Sequence, residues 1–315
     1  MPTNDPPLIS VALSVYNGRP FLPEQLDSVL AQRGVSLEIV AVDDGSADGS
    51  LAVLEDYARR DPRVRFHPNP HNLGPTRSFE RAMALCRGEF LAPCDQDDVW
   101  LPDKLAVLHA AIGGHDLAYC DSEYIDGDGR CAGRRISDDL QMLEGDQPLR
   151  FVMHNSVSGH AMLLRRSLFE QVRPLPTALY YDWTLAMFAA ARAGVVYVDR
   201  PLVRFRRHGQ AFSSLGKAAG QATRRSDRYR RWIGDRQALL GVLAASRFDT
   251  DGRARRLAEA LTAAVDGEGC GGLLRGIWHE RAALAQHEAA WRVALRLQLR
   301  LLRKLHRARL EARTA

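Results

Sequence analysis

A chain of 315 residues with 46% hydrophobic content is long enough for one large domain or a domain with an appendage, and its composition is that of a folded globular protein. It contains no 18-residue apolar run, and the polar, proline-rich opening MPTNDPPLIS fits neither a signal peptide nor a membrane span, so a cytoplasmic protein is expected. Five cysteines, at 86, 94, 120, 131 and 270, form no CxxC pair and leave one over in any pairing, which makes reduced thiols the default. The net charge of +5 is concentrated at one end, where eight Lys or Arg between Trp291 and Ala315 face a single acid, Glu311.

Taken in chain order, the pattern alternates between strand and helix. LISVALSVY (8–16) reads as a buried strand, and PFLPEQLDSVLAQ (20–32) puts Phe21, Leu22, Leu26, Val29 and Leu30 on one helical face. LEIVAVDD (37–44) is a second strand and SLAVLEDYARR (50–60) a second helix. VRFH (64–67), a helix through Ser78 to Leu85, the strand EFLAPC (89–94), a helix from Pro102 and the strand DLAYCD (116–121) follow. This alternation predicts an α/β fold, a mostly parallel sheet covered by helices on both faces. Ligands of such sheets sit beyond the carboxyl ends of the strands.

The acidic clusters fall at those ends. Asp43 and Asp44 close the second strand, and Asp95, Asp97 and Asp98 follow EFLAPC, so both groups should face one crevice. Like charges gathered in a crevice repel unless a cation neutralises them, and oxygen ligands suit Mg²⁺ or Mn²⁺. The alternative is a solvated acidic loop with Asp103 near a helix start, where negative charge is favourable. Asp44 to Glu55, DGSADGSLAVLE, also has the spacing of a calcium-binding EF-hand loop, but an EF-hand needs a preceding helix and Leu37–Val42 is strand-like. DGDG at 126–129 reads as a hairpin turn.

Four segments in order, ISVALSVYNGRPFLPEQLDSVLAQ, IVAVDDGSADGS, NLGPTRSFERAMALCRGEFLAPCDQDDVWLPDKL and YYDWTLAMFAAARAGVVYVDRPLVRFRRHG, resemble the family-2 glycosyltransferases of the GT-A fold over roughly residues 8 to 212. The resemblance implies a nucleotide-sugar donor and a divalent metal, Mn²⁺ or Mg²⁺. Leu13, Ser14 and Tyr16 match the floor for base and ribose, and Asp44 the acceptor of a hydrogen bond from the base. Asp95 and Asp97 match the DxD motif, with Asp95 near ribose or metal, Gln96 among the nucleotide-sugar contacts, Asp97 the direct metal ligand and Asp98 behind it. Arg77 in NLGPTRS would reach the diphosphate; the alternative is an exposed helix-start arginine. Asp182 matches the carboxylate that takes the acceptor's proton in inverting members, the alternative being a plain helix N-cap. Relatives often carry Glu-Asp there, whereas this chain has Tyr181. His208 in FRRHG matches a histidine that completes the metal site, the alternative being a surface histidine in a basic turn. Gly159, His160 and Trp183 fall on the acceptor side, with Gly159 expected to let the sugar approach the backbone.

The resemblance implies one displacement with inversion, Asp182 as base, and a hexose donor carried on dTDP or UDP, rhamnose favoured, for a glycan or lipid-linked acceptor in polysaccharide assembly. A nucleotide-sugar-binding module without catalysis is the alternative. Residues 213–315, rich in Ala, Leu and Arg, read as an α-helical appendage broken at DGEGCGG (266–272). Its last helix places Arg292, Arg296, Arg300, Lys304 and Arg307 near one face and Trp291, Leu295, Leu299, Leu302 and Leu305 on another. That pattern suits either peripheral contact with the inner face of an anionic membrane or packing on the catalytic domain. With no interleaved aromatic platform or reader motif, nucleic acid is not an expected partner.

Overall fold

The computed structural model describes residues 7–208, 225–285 and 288–312, with the backbone alone at 225–229 and 307–312. The expected domain boundary at 212 lies outside the described residues. The first half follows the predicted order: β1 (Leu8–Val15), α1 (Leu22–Leu30), β2 (Ser36–Asp43), α2 (Ser50–Arg60), β3 (Val64–Pro68), α3 (Pro75–Leu85), β4 (Phe90–Cys94), β5 (Val99–Trp100) and α4 (Lys104–Ile112). Then come β6 (Leu117–Ile125), β7 (Cys131–Arg135), α5 (Pro148–Met153), β8 (Met162–Arg165), α6 (Arg166–Val172), α7 (Tyr181–Arg192) and β9 (Val195–Arg206). Five further helices are α8 (Arg225–Ala244), α9 (Arg253–Asp266), α10 (Gly271–His279), α11 (Arg281–Leu284) and α12 (Ala290–Ala312).

One nine-stranded sheet runs β3-β2-β1-β4-β8-β6-β9-β5, with β7 paired to β6. The strands β3, β2, β1 and β4 are parallel, as expected. The second half departs from the expectation of a mostly parallel sheet: β8 is antiparallel to both β4 and β6, and β5 to β9, so the whole sheet is mixed. Strand order reverses where β1 lies between β2 and β4, and a crevice opens at such a switch point. Asp126–Gly129 is the predicted turn of the β6–β7 hairpin, with Asp126 N donating to Arg130 O at 3.0 Å. Strand β2 runs directly into Asp44, so the EF-hand reading has no entering helix.

Alternation along the strands divides the interior between the two faces. Ile9, Val11, Leu13 and Val15 of β1 and Ile39 and Ala41 of β2 pack against α1, α2 and α4 through Leu22, Leu26, Leu54, Leu105 and Leu108. Ala12, Val40 and Val42 face the other way, onto Phe79 and Met83 of α3. That second core is continuous with α7 and with the C-terminal helices, which contribute Ile233, Leu240, Leu257, Leu261, Ile277 and Leu301. The region after 225 is therefore helical, as read, and packed. On α12, Leu305 joins Ala294 and Leu301 in the core, whereas Trp291, Leu295 and Leu299 are exposed, so the expected single apolar face is split in two. Among the described residues no helix is long and apolar enough to cross a membrane.

Candidate active site

The crevice is built from three loops at the ends of β1, β2 and β4. After β1, Asn17 takes a left-handed backbone (φ 50°), donating its N–H to Ser46 Oγ and accepting from Ala47 N, each at 2.9 Å. Gly18 N donates to Ser50 Oγ and Arg19 N to Asp48 Oδ2, so the first two loops are tied together. Gln96 joins the third: its Oε1 accepts from Tyr16 N at 2.8 Å and its Nε2 donates to Tyr16 O at 3.0 Å. A Cβ on Gly18 would lie 2.2 Å from that Oε1, which explains a glycine in YNGRPF. Gln96, expected among the nucleotide-sugar contacts, is committed in this structure to the backbone of Tyr16. The Tyr16 ring itself is half exposed over the crevice, Ser14 is partly exposed, and the Leu13 side chain is in the core.

Asp44 also has a different employment from the one expected. Its carboxylate accepts from Asn69 Nδ2 and Leu73 N, both at 2.7 Å, and from Gly74 N at 3.0 Å. It therefore ties down the 69–74 loop, and most of its acceptor capacity is used there. Asp43, one position earlier, keeps a buried Oδ1 with no hydrogen-bond partner among the described residues. Arg77 stands in the first turn of α3 and pairs with Glu80 one turn on.

The acid loop divides its charges by depth. Asp95 is the outermost, its side chain 38% exposed. Asp97 Oδ2 meets His208 Nε2 at 2.8 Å, bringing together two residues 111 positions apart. Asp98 is fully buried: Oδ1 accepts from Arg206 N at 2.9 Å, while Oδ2 has no hydrogen bond among the described residues and lies 3.7 Å from His160 Nδ1. Ligand atoms of Asp95, Asp98 and His160 fall within 4.8 Å of one another. Burial first, then the Asp95 charge, push Asp97 above its ordinary range against the pull of His208. Burial holds Asp98 up at about 7, with His160 opposing. Burial disfavours a charged His160, yet Asp98 and Asp95 outweigh it and raise the ring.

His160 and Trp183 were expected on the acceptor side; both are buried. His160 lies beneath the acid loop, stacked on Phe205 at 4.6 Å and within 3.0 Å of Ser122 Oγ. The Trp183 indole N–H donates to Phe151 O inside the core. Gly159 is small for a different reason than sugar access: a Cβ there would sit 1.9 Å from the Tyr181 hydroxyl. Tyr181, which stands where relatives carry a second acid, is buried and stacked on Phe79 with centroids 4.3 Å apart. Asp182 lies in the first turn of α7, partly exposed, and its Oδ1 accepts from Trp183 N at 2.6 Å. Burial raises its carboxyl to about 6; the Trp183 bond opposes the shift and Asp95 adds to it. Asp182 and the acid loop thus act on one another within a single site.

Two residues that sequence reasoning passed over hold this site. Arg206, 2% exposed, donates through Nε to Asp97 O at 2.8 Å and through Nη1 to Gly127 O at 3.1 Å, pairs with Glu24, and lies 4.9 Å from the Phe21 ring centroid. Lys104 is completely buried, donating to His160 O at 2.6 Å with Nζ 3.1 Å from the Trp100 ring centroid. The signal for Arg206 was its place in FRRHG two residues before His208. Lys104, a cation following four acids in DQDDVWLPDK, carries no sign of burial in its spacing.

The family model for glycosyl transferase family 2 matches residues 10–173. EpsH of Bacillus subtilis (strain 168), which bears a glycosyltransferase name, is 30% identical over 221 residues, 64% of this chain and 61% of EpsH. Succinoglycan biosynthesis protein ExoO of Rhizobium meliloti (strain 1021) is 33% identical over 126 residues, 39% of this chain and 36% of ExoO. The chain matches less than two thirds of the length of either relative. Among solved structures, Staphylococcus aureus TarS 1–349 in complex with UDP-GlcNAc aligns with a TM-score of 0.59 and 16% identity, over 88% of this chain and 81% of that one. The mannosyltransferase PcManGT of Pyrobaculum calidifontis, in complex with GDP-Man and Mn²⁺, aligns with a TM-score of 0.54 and 18% identity, over 98% and 88%. At these identities the structural likeness is one of fold.

Proposed function

The chain belongs to glycosyltransferase family 2, and from that premise we propose that it is an inverting, metal-dependent hexosyltransferase acting on a glycan or lipid-linked glycan acceptor. The observation that carries this reading is the meeting of Asp97 Oδ2 and His208 Nε2 at 2.8 Å beside Asp95, with Asp182 in the first turn of α7, where burial raises its carboxyl to about 6. A base poised there is ionised at neutral pH and still able to accept a proton. Asp182 takes the proton of the acceptor hydroxyl as the new oxygen–carbon bond forms and the anomeric carbon–phosphate oxygen bond breaks, which inverts the anomeric centre. The backbone N–H groups of Trp183 and Gly159 orient that carboxylate.

The residues fit a divalent cation. The donor atoms of Asp97 and His208 are 2.8 Å apart, close to the roughly 3 Å between neighbouring ligands of an octahedral ion bound at about 2.1 Å. An oxygen and imidazole set suits Mn²⁺ as well as Mg²⁺. Asp97 and His208 would hold the ion with Asp95 beside them, and the bound ion would stabilise charge developing on the departing diphosphate. Tyr16 is offered to the base as a half-exposed ring at the strand end. Rhamnose on dTDP is the favoured donor, with UDP-linked hexoses the competing set. A thermal-shift panel of these nucleotide sugars with and without Mn²⁺ tests the reading, because a ligand that binds only the folded state raises its stability. The expected result is a Mn²⁺-dependent shift in the wild type that Asp97→Ala loses while remaining folded. A panel without any shift, or an undiminished shift in Asp97→Ala, would overturn it.

The lipid-linked form of the acceptor draws on α12. Its Trp291, Leu295 and Leu299 are 51%, 44% and 44% exposed, and Arg292, Arg296 and Arg300 lie beside them in solvent. An apolar stripe flanked by arginines suits the surface of an anionic bilayer.

A further inference from the structure

The residue after the proposed base is fixed from within the core. Trp183 supplies the backbone N–H that grips Asp182, so whatever holds the Trp183 ring also holds that grip. The ring is anchored twice. Its indole N–H donates to Phe151 O, and the guanidinium of Arg236 lies 4.6 Å from its centroid. Arg236 comes from α8, more than fifty residues along the chain, and is 7% exposed. It also lies 4.2 Å from the Trp232 centroid, and its Nη2 donates to Met153 O at 3.1 Å.

Phe151 and Met153 stand in the last turn of α5. Carbonyls there have no intrahelical partner, and the helix end carries partial negative charge. Trp183 takes one of these carbonyls and Arg236 another, so the end of α5, the first turn of α7 and the body of α8 meet at one cation between two indoles. From α12, Lys104's counterpart on this side of the molecule is a pair, Lys304 and Arg300, lying 4.4 and 5.2 Å from the Trp232 centroid. Burying a guanidinium whose one ion-pair partner among the described residues is Asp235, 3.8 Å away, is costly. A purely packing role would be filled as well by Leu or Met, whereas a planar cation satisfies the α5 carbonyl and stacks on aromatic rings at once.

We propose that Arg236 is a positioning residue for glycosyl transfer: clamped between Trp183 and Trp232 and bonded to the end of α5, it fixes the first turn of α7 and so the direction in which Asp182 points. The inference rests on Asp182 being the base. Arg236→Met, which keeps length and loses the fork, should lower kcat by about 10- to 100-fold, the scale of a misplaced catalytic group. The donor KM should stay within about twofold, the acid limb of the pH profile should keep its midpoint, and Arg236→Lys should recover part of the rate. In an Asp182→Asn background, Arg236→Met should cost less than about twofold, because groups acting as one unit are not additive. Multiplying losses in the double variant, or a donor KM that rises with the fall in kcat, would overturn the inference while leaving Asp182 in place. Wild-type transfer by Asp182→Asn would overturn the base reading and the inference together. Should Arg236→Met fail to fold, Trp232→Phe loosens the clamp from its other side and carries the same expectations at smaller amplitude.

Discussion

Replacing Lys104 by Met tests whether a buried cation holds the acid loop together. Met preserves the length and packing of the side chain, so the cavity contribution is small. The variant leaves the His160 carbonyl, now bonded at 2.6 Å, without a donor, at a cost of about 1–3 kcal/mol for an unsatisfied buried acceptor. It also forfeits a desolvated cation–π contact at 3.1 Å, worth about 2 kcal/mol. Against this, the variant no longer buries an ammonium, a penalty of several kcal/mol per ion, so the contributions largely offset and the net loss near pH 7 is expected at about 0–2 kcal/mol. The sign of the pH dependence is sharper than the magnitude. Burial brings Lys104 down from 10.5 to about 8, so between those values the unfolded chain binds more protons than the folded one and stability rises with pH. The wild type therefore gains about 3 kcal/mol from this group across that window, and the variant lacks the gain. Urea unfolding followed by tryptophan fluorescence, from pH 7 to 10, should show the stability gap widening with pH. A gap that stays constant across that range would refute a buried, titrating Lys104.

Two further outcomes are expected. Because burial raises Asp182 to about 6, kcat should climb with pH and level off above that value, falling to about a tenth at pH 5, while Asp182→Asn should lose roughly 10² to 10⁴ in transfer with donor affinity retained; a flat acid limb would remove Asp182 from proton transfer. On α12, Leu295→Glu with Leu299→Glu should abolish co-sedimentation with phosphatidylserine vesicles at low salt and leave transfer to a soluble acceptor unchanged, and a full-length protein that ignores such vesicles would remove the membrane from the proposal.

The first four strands and the helices between them were legible because β1, β2 and β4 are apolar runs buried on both faces, the helices keep their apolar residues on one face, and the turn chemistry between them is local. Strand β7, CAGRR, carries no alternation and is wholly exposed, so it forms only because β6 is there to pair with. Site residues at strand ends were legible as places, since topology sends Asp43, Asp44 and Asp95 to one edge. Their tasks were less so. Asp44 bonds the 69–74 loop and Gln96 bonds Tyr16, and neither partner is marked by spacing. Buried cations were missed for a related reason: a pattern that counts Lys and Arg as surface residues cannot register that the His160 carbonyl draws Lys104 inward and the Asp97 and Gly127 carbonyls draw Arg206. Gly159 was singled out as small, but the atom that demands it belongs to Tyr181, 22 residues on.

The appendage reading would predict that truncation after Gly272 spares the catalytic half; the packing predicts the reverse. Such a truncation removes Ile277, Leu284, Leu301 and Leu305, which are between 0% and 7% exposed and belong to the core shared with α3 and α7. At about 1.5–3 kcal/mol for each buried aliphatic side chain, their loss amounts to roughly 6–12 kcal/mol. That is comparable to the roughly 5–15 kcal/mol that holds a typical domain together. It also removes the bond from Arg150 Nε to Ala283 O, leaving a partly buried guanidinium at the side of α5. The truncated chain should therefore lack a cooperative unfolding transition and bind no nucleotide sugar. Point changes on the exposed stripe of α12, which leave Ala294, Leu301 and Leu305 in place, are the variants that separate membrane contact from folding. A truncated protein that unfolds cooperatively and transfers sugar to a soluble acceptor would refute the shared core as a condition of activity.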